Sequence, residues 1–440
     1  MHGGREGCGW MTRGGFLRGA VACPLFPALA SGGGAEGAVG EAGVGTLPPW
    51  EPGHLRIHSL YTGRSEATFL VFPDSTSMLI DCGDYVNPDN IDPFIPDLGR
   101  FDGAWIAKYV LRHNPRGRKL DFFMLSHYHC DHAGMLRSAA VKVERGAGGR
   151  YSLSGFGQAI DILDVDTIID RSWPDMEDPS PVRAATDDAM HVREVFAEAA
   201  RRGSRIEKFR LEKDSTQIRP RHGACPGFSA TPLCSNGLVL RRDGTVLDCG
   251  TFGRGGRARF GENMFSIGFV LSYGCFRYFT AGDFSGNIVR PDGTRFQIGE
   301  LLAPECPEVD VAKACHHGAV GDMPQTLIDA LNPRVMLGCG IWNRRQMCRQ
   351  MMRRFAAAPA RSMIVPGILV PSRRMEDAAE PWMDRVPKAV YGGCHAVVDV
   401  APGGGRYRLM LVDAPGDADK VLASFDFESL GNGDAGGARA

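Results

Sequence analysis

The chain has 440 residues, 43% of them hydrophobic, with 50 basic residues against 51 acidic ones. That length and apolar content suit one large domain with insertions, or two modest ones, and exclude a disordered chain. The even charge balance leaves no global field to hold a polyanion, so nucleic-acid binding would need a local basic patch.

No run reaches the ~18 apolar residues that cross a bilayer. Residues Met11 to Ala20, followed by small and apolar residues up to Ala28-Leu29-Ala30, resemble a twin-arginine export signal with Arg13 in place and Gly14 where the second arginine belongs. Two readings stand: an exported protein, periplasmic or secreted, or a disordered tail on a cytoplasmic one. Residues 31–50, rich in Gly and Ala and ending in Pro48-Pro49, read as a linker. The main domain is expected over 51–415. The 57 glycines of the whole chain suggest a loop-rich α/β protein with many tight turns, and its 13 cysteines, odd in number and in no zinc-ribbon spacing, read as single thiols.

Taken in order, His54–Tyr61, Ala67–Phe72 and Met78–Ile80 pattern as strands. Gly103–His113 follows as a helix and Asp121–Leu125 as a short buried strand, with a helix from His132. Residues 145–230 fit no compact pattern and are expected to be an insertion beside the core, a substrate lid, containing one helix over Thr186–Arg202. Strands resume as two hairpins, Leu238–Arg241 with Thr245–Leu247 and Ser266–Tyr273 with Phe276–Thr280. Val309–Cys315 is another strand. Pro324–Leu331, Arg334–Leu337, Arg344–Ala357 and Arg361–Val365 then alternate helix and strand. Residues 416–440 read as a flexible tail.

The chemistry concentrates in Ser126-His127-Tyr128-His129-Cys130-Asp131-His132. Imidazole and carboxylate suit zinc, and also manganese or iron. Two histidines two apart at a strand end point to the same face, so both reach one ion. The chain then turns, and Asp131 and His132 address a second ion. Cys130 sits between two ligands, either turned away from the metals or acting in metal capture. Arg344, Arg345, Arg349, Arg353 and Arg354 form a basic stretch that is either a solvated helix face or a contact for a polyanion.

The HxHxDH pattern resembles the signature of the metallo-β-lactamase superfamily, and further features of the chain follow that family's order. Asp81, in Leu79-Ile80-Asp81-Cys82-Gly83, resembles the aspartate that supports the site. Asp283, in Thr280-Ala281-Gly282-Asp283, resembles the bridging acid, and His316-His317-Gly318 resembles the late histidine motif. Asn263 and Ser266, in Glu262-Asn263-Met264-Phe265-Ser266, resemble the Asn-x-x-Ser segment of the branch that contains the ComEC domain and the phosphorylcholine esterases. The resemblance covers roughly residues 54–412.

It implies an αββα sandwich with insertions and two divalent cations, Zn2+ first with Mn2+ or Fe as alternatives. The implied ligands are His127, His129, Asp131, His132, Asp283 and His317. Asp131 would also orient a nucleophilic water and His316 would face the substrate, although the sequence leaves the order of His316 and His317 open. Asp81, Ser126, Asn263 and Ser266 would support the site or touch substrate, with Asn263 a donor or merely a turn cap. The third site histidine of the true β-lactamases is not evident: His191 lies on a predicted helix and is expected to be exposed, and His222 lies in a loop. The implied activity is hydrolysis of a phosphodiester or related anionic ester. The alternatives are a lactam, lactone or thioester hydrolase of the same fold, or a metal-binding protein without turnover.

Overall fold

The computed structural model describes residues 41–42, 45–63, 65–84, 103–138, 142–176, 186–319, 322–338, 349–358, 363–366, 382–414 and 418–432. The export-like segment, most of the linker, Arg344 and Arg345 lie outside the described residues.

The chain builds one sheet, then a second, then returns to the first. The first half supplies β1 Glu41–Ala42, β2 Leu55–Ser59, β3 Thr68–Val71, β4 Ser77–Ile80, β5 Lys119–Met124, β6 Asp164–Asp170 and β7 Arg205–Lys208. The second sheet follows with β8 Phe228–Ser235, β9 Leu238–Leu240, β10 Val246–Asp248, β11 Gly268–Tyr273 and β12 Phe276–Thr280. After a hairpin of β13 Asn287–Val289 and β14 Arg295–Gln297, it is completed by β15 Val311–Lys313, β16 Val335–Leu337 and β17 Met363–Val365. Finally β18 Cys394–Val400, β19 Arg406–Asp413 and β20 Val421–Glu428 rejoin the first sheet beside β2. Both large sheets are mixed. β2, β3 and β4 pair antiparallel while β4 to β7 run parallel, and β12, β15, β16 and β17 run parallel after antiparallel β8, β11 and β12.

Strand alternation sorts the core. Phe122 and Met124 of β5 join a cluster with Phe269, Leu271 and Tyr278 of the second sheet, so the two sheets face each other. Phe123 and Leu125 point the other way, into a cluster with Ile106 and Val110 of α1 (Gly103–His113). The helix predicted from His132 is a single turn, α2 (Cys130–Ala133), closed by Gly134 at φ 101°, where a Cβ would strike the Ser154 carbonyl.

Residues 145–230 are not an insertion. α3 (Phe156–Ile162) and α4 (Asp187–Arg201) pack Phe156, Val195 and Phe196 on the same face of the first sheet, and β6 and β7 extend that sheet beside β5. Asp164, Asp166 and Asp170 obscure the strand in the sequence, yet Val165, Ile168 and Ile169 between them are buried. Residues 416–440 are likewise not all tail. β20 pairs with β19 along its length, next to the two-residue end strand β1, and its half-exposed position explains a composition too polar to read as a core strand.

Short helices α5 (Gly299–Leu302), α6 (Gln325–Leu331) and α7 (Arg349–Ala356) complete the described helices. Met351, Met352 and Phe355 of α7 are buried, while Arg353 on its other side is exposed and Arg354 donates to the Met323 carbonyl. The nine described cysteines are all free.

Candidate metal centre

Parallel pairing brings strand ends together. β4 and β5 run in register with Ile80 opposite Met124, so Asp81 and Ser126 leave the sheet side by side. β12 and β15 are parallel neighbours in the facing sheet, and Asp283 and His316-His317 leave at their C-terminal ends. β3 is antiparallel to β4, so Glu66, just before β3, arrives at the same edge.

Asp81 anchors the motif. At φ 58° its carboxylate turns back to accept the Ser126 amide and hydroxyl, each at 2.7 Å, and lies 2.8 Å from His132 Nδ1. This leaves His132 Nε2 aimed at Asp283, 3.2 Å from Oδ1. Asp283 is central: His127 Nε2, His317 Nε2 and His316 Nε2 lie 3.8, 3.6 and 3.9 Å from its Oδ2. Its amide donates to Ser266 Oγ, and the next amide, Ile267, donates to the Ser126 carbonyl. Ser266 and Ile267 together thus tie the two sheets at the site. His129 Nδ1 sits 3.0 Å from His127 Nε2, and Asp131 Oδ2 3.2 Å from His317 Nε2.

Electrostatics follow from burial among like and unlike charges. Burial alone would lower the His132 pKa, but the Asp283, Asp81 and Asp131 carboxylates outweigh it and hold the ring well above its usual value. Burial would raise Asp283, and His132 and His317 hold it well below the carboxylate range instead. Burial also drives His127 well below the imidazole range, with His132 adding to the effect. A cation requires neutral imidazoles, so one bound beside His132 would displace the proton that the carboxylates around this ring favour.

Both oxygens of Asp283, Nε2 of His132 and Oε2 of Glu66 are buried without a hydrogen bond. Orphaned atoms of this kind call for a bound ion or water. Two groups of donors are mutually close enough to hold one ion each: His127, His129 and Asp283; and Glu66, His132, Asp283 and His317. Asp283 is common to both. These buried groups could hold metal ions, and the donor set of imidazole and carboxylate fits zinc, manganese or iron.

His316 sits at the mouth, its side chain 27% exposed, with Nδ1 2.9 Å from Asp322 Oδ2. His317 is buried. Both residues have left-handed backbones, φ 48° and 55°, which lets consecutive side chains part in this way. Asn263 lies in the turn Glu262–Phe265 with its Oδ1 buried and free of a hydrogen bond. Its neighbour Glu262 accepts the Tyr128 amide and pairs at 2.9 Å with the buried Arg171, whose guanidinium lies 3.9 Å from the Tyr128 ring centre. Cys130 carries a thiol pushed up by burial and by Asp131 and Asp188, and it belongs to neither group of donors.

His191 is not exposed. It is buried under α4 with Nε2 3.2 Å from the Ala133 carbonyl, and burial lowers its pKa to about 4. His222 lies 2.8 Å from Asp121 at the start of β5, roughly 20 Å of strand from the motif, and is no ligand. It lines a cavity of about 950 Å³ at that opposite edge, with Arg116, Arg118, Arg205 and Arg221. The arginines there pair with Asp121, Asp164 and Asp166, so the cavity, though large, holds none of the site's chemistry.

Three contributors were not found by sequence reasoning. Glu66 and Lys313 form a buried pair at 2.8 Å beside the second group. Asp188, in the first turn of α4, has its pKa raised to about 6 by burial, with Asp131 and Glu262 adding to it. The comparisons with known proteins are silent: no family model and no curated protein matches the chain.

Proposed function

We propose that the protein is a hydrolase that holds two divalent cations and acts on a phosphodiester or related anionic ester. The observation that carries the reading is Asp283, a fully buried carboxylate with no hydrogen bond to either side-chain oxygen, shared by two donor groups. Supporting it, we infer that the facing sheets, with helices α1, α3 and α4 packed on the outer face of the first and α6 and α7 packed with the second, are the metallo-β-lactamase αββα sandwich in its ComEC-like form. The metal-ligand motif at strand ends on a single edge is what that reading requires.

Cations bound there would lower the pKa of water and offset charge on a phosphoryl oxygen. The chain's own residues do the rest. Asp131, 3.2 Å from His317 Nε2, orients the attacking water. His316, at the mouth and held by Asp322, donates a proton to the leaving oxygen. Asn263 Oδ1 has no hydrogen-bond donor, which suits an amide that orients substrate.

The test is turnover of bis(p-nitrophenyl) phosphate by zinc- or manganese-loaded protein beside Asp131→Ala. Turnover lost in the variant is the expected result. A fully metallated protein without turnover would remove the phosphodiester reading and turn the search to lactones, thioesters and lactams.

A further inference from the structure

Glu66 and Lys313 are the buried charged pair at the site that the HxHxDH pattern does not include. Lys313 ends β15, three residues before His316, and its Nζ lies 2.8 Å from Glu66 Oε1 and 2.7 Å from the Gly282 carbonyl it donates to. Both side chains are about 1% exposed. The second carboxylate oxygen, Oε2, has no hydrogen bond and faces His317, 3.6 Å from Nδ1. The Glu66 amide donates to the Asp131 carbonyl at 2.8 Å, so its backbone is fastened to the motif. One oxygen is therefore taken by an ammonium while the other is presented to His317, His132 and Asp283.

Four carboxylates, Glu66, Asp81, Asp131 and Asp283, are buried around the imidazoles of His127, His132 and His317. Burying unpaired anions is costly, and a single ammonium offsets only one of them. Lys313 makes that one tolerable before any metal arrives. The same charge then opposes the cation that Glu66 attracts, since like charges a few ångströms apart in a buried site repel strongly.

We propose that Glu66 is a ligand of the second metal position and that Lys313 is its resident counter-cation, which weakens that position and makes its ion the more exchangeable of the two. This rests on the metal-site reading above and deepens it. The two residues then act on metal affinity in opposite directions, which a purely structural ion pair would not do.

The experiment uses the full chain, stripped with a chelator and titrated with Zn2+ by calorimetry, with metal content measured by mass spectrometry. The wild type is expected to bind two ions with unequal affinity. Glu66→Gln should weaken the second ion roughly tenfold to a hundredfold, the range for disturbing a metal's immediate surroundings. Lys313→Met should tighten the same ion by a similar factor. If Lys313→Met does not fold, Lys313→Gln keeps a donor for the Gly282 carbonyl, removes the charge and should act with the same sign. Weakening by both the Glu66 and Lys313 variants, or no change in either, overturns the proposal while leaving the metal site intact. A wild type that binds no ion overturns the metal-site reading itself.

Discussion

A single carboxylate, Asp81, sets the geometry of the motif. It accepts from the Ser126 amide and hydroxyl and fixes the His132 ring through Nδ1, so that Nε2 is the atom offered to a metal. Outer partners of this kind are worth about tenfold to a hundredfold in metal affinity. Asp81→Ala is expected to lose that much in a chelator-competition titration while keeping its circular dichroism. Unchanged affinity would mean that His132 is oriented by packing alone. The HxHxDH histidines are legible in sequence because a strand end gives residues two apart one common direction. Glu66 is not, because a lone glutamate after Ser65 has no neighbour to mark it, and its place depends on β3 running antiparallel to β4. His191 was legible in principle: it shares helical spacing with Val195 and Ala199, both buried, which puts it on the inner face.

At the scale of elements, the turn Glu262–Phe265 is clamped onto the motif by Arg171, which follows β6. Arg171 bonds both Glu262 oxygens and Asn236 Oδ1, and Glu262 in turn accepts the Tyr128 amide. Removing one member of a buried pair leaves a bare charge, at a cost of about 3–5 kcal/mol. Glu262→Gln is expected to lose stability of that order in urea unfolding, and a loss within experimental error would show the guanidinium finding water instead. β6 itself was hidden by its aspartates. A parallel strand covered on both faces ordinarily reads as a continuous apolar run, but here Asp164 and Asp166 are exposed at the start of the strand and Asp170 is accommodated by the Tyr128 hydroxyl and two backbone amides. The hairpins of β9 with β10 and β11 with β12 were legible because turn chemistry is local, whereas the joining of β5 to β6 and β7 crosses helices and is not.

For the molecule as a whole, the last three strands close the first sheet against β2. His395 of β18 accepts the Tyr61 amide at 2.9 Å, a bond that needs a neutral ring, and burial lowers its pKa to about 3. The unfolded chain takes up this proton first as the pH falls. The stabilisation is therefore complete above the unfolded pKa of about 6.5 and is lost progressively as pH drops toward 3. Melting temperatures measured from pH 7 to 4.5 should fall less steeply in His395→Gln than in the wild type. Equal slopes would place the acid sensitivity elsewhere. Of the strands that make this closure, β20 stands past Asp413, where the sequence pattern fades, because most of its residues are half-exposed or exposed.

The division of the site between the two sheets also has a consequence for synthesis. Asp131 and His317 are in contact yet lie 186 residues apart in the chain. When the four candidate donors of the motif leave the ribosome, neither Asp283 nor His317 exists, and an ion caught then would meet an incomplete set. The nascent chain must therefore carry the motif, incomplete, through much of its own elongation. On the two-cation reading, metal acquisition would belong to the finished polypeptide, and a cell short of metal would accumulate a folded but empty protein rather than one stalled midway.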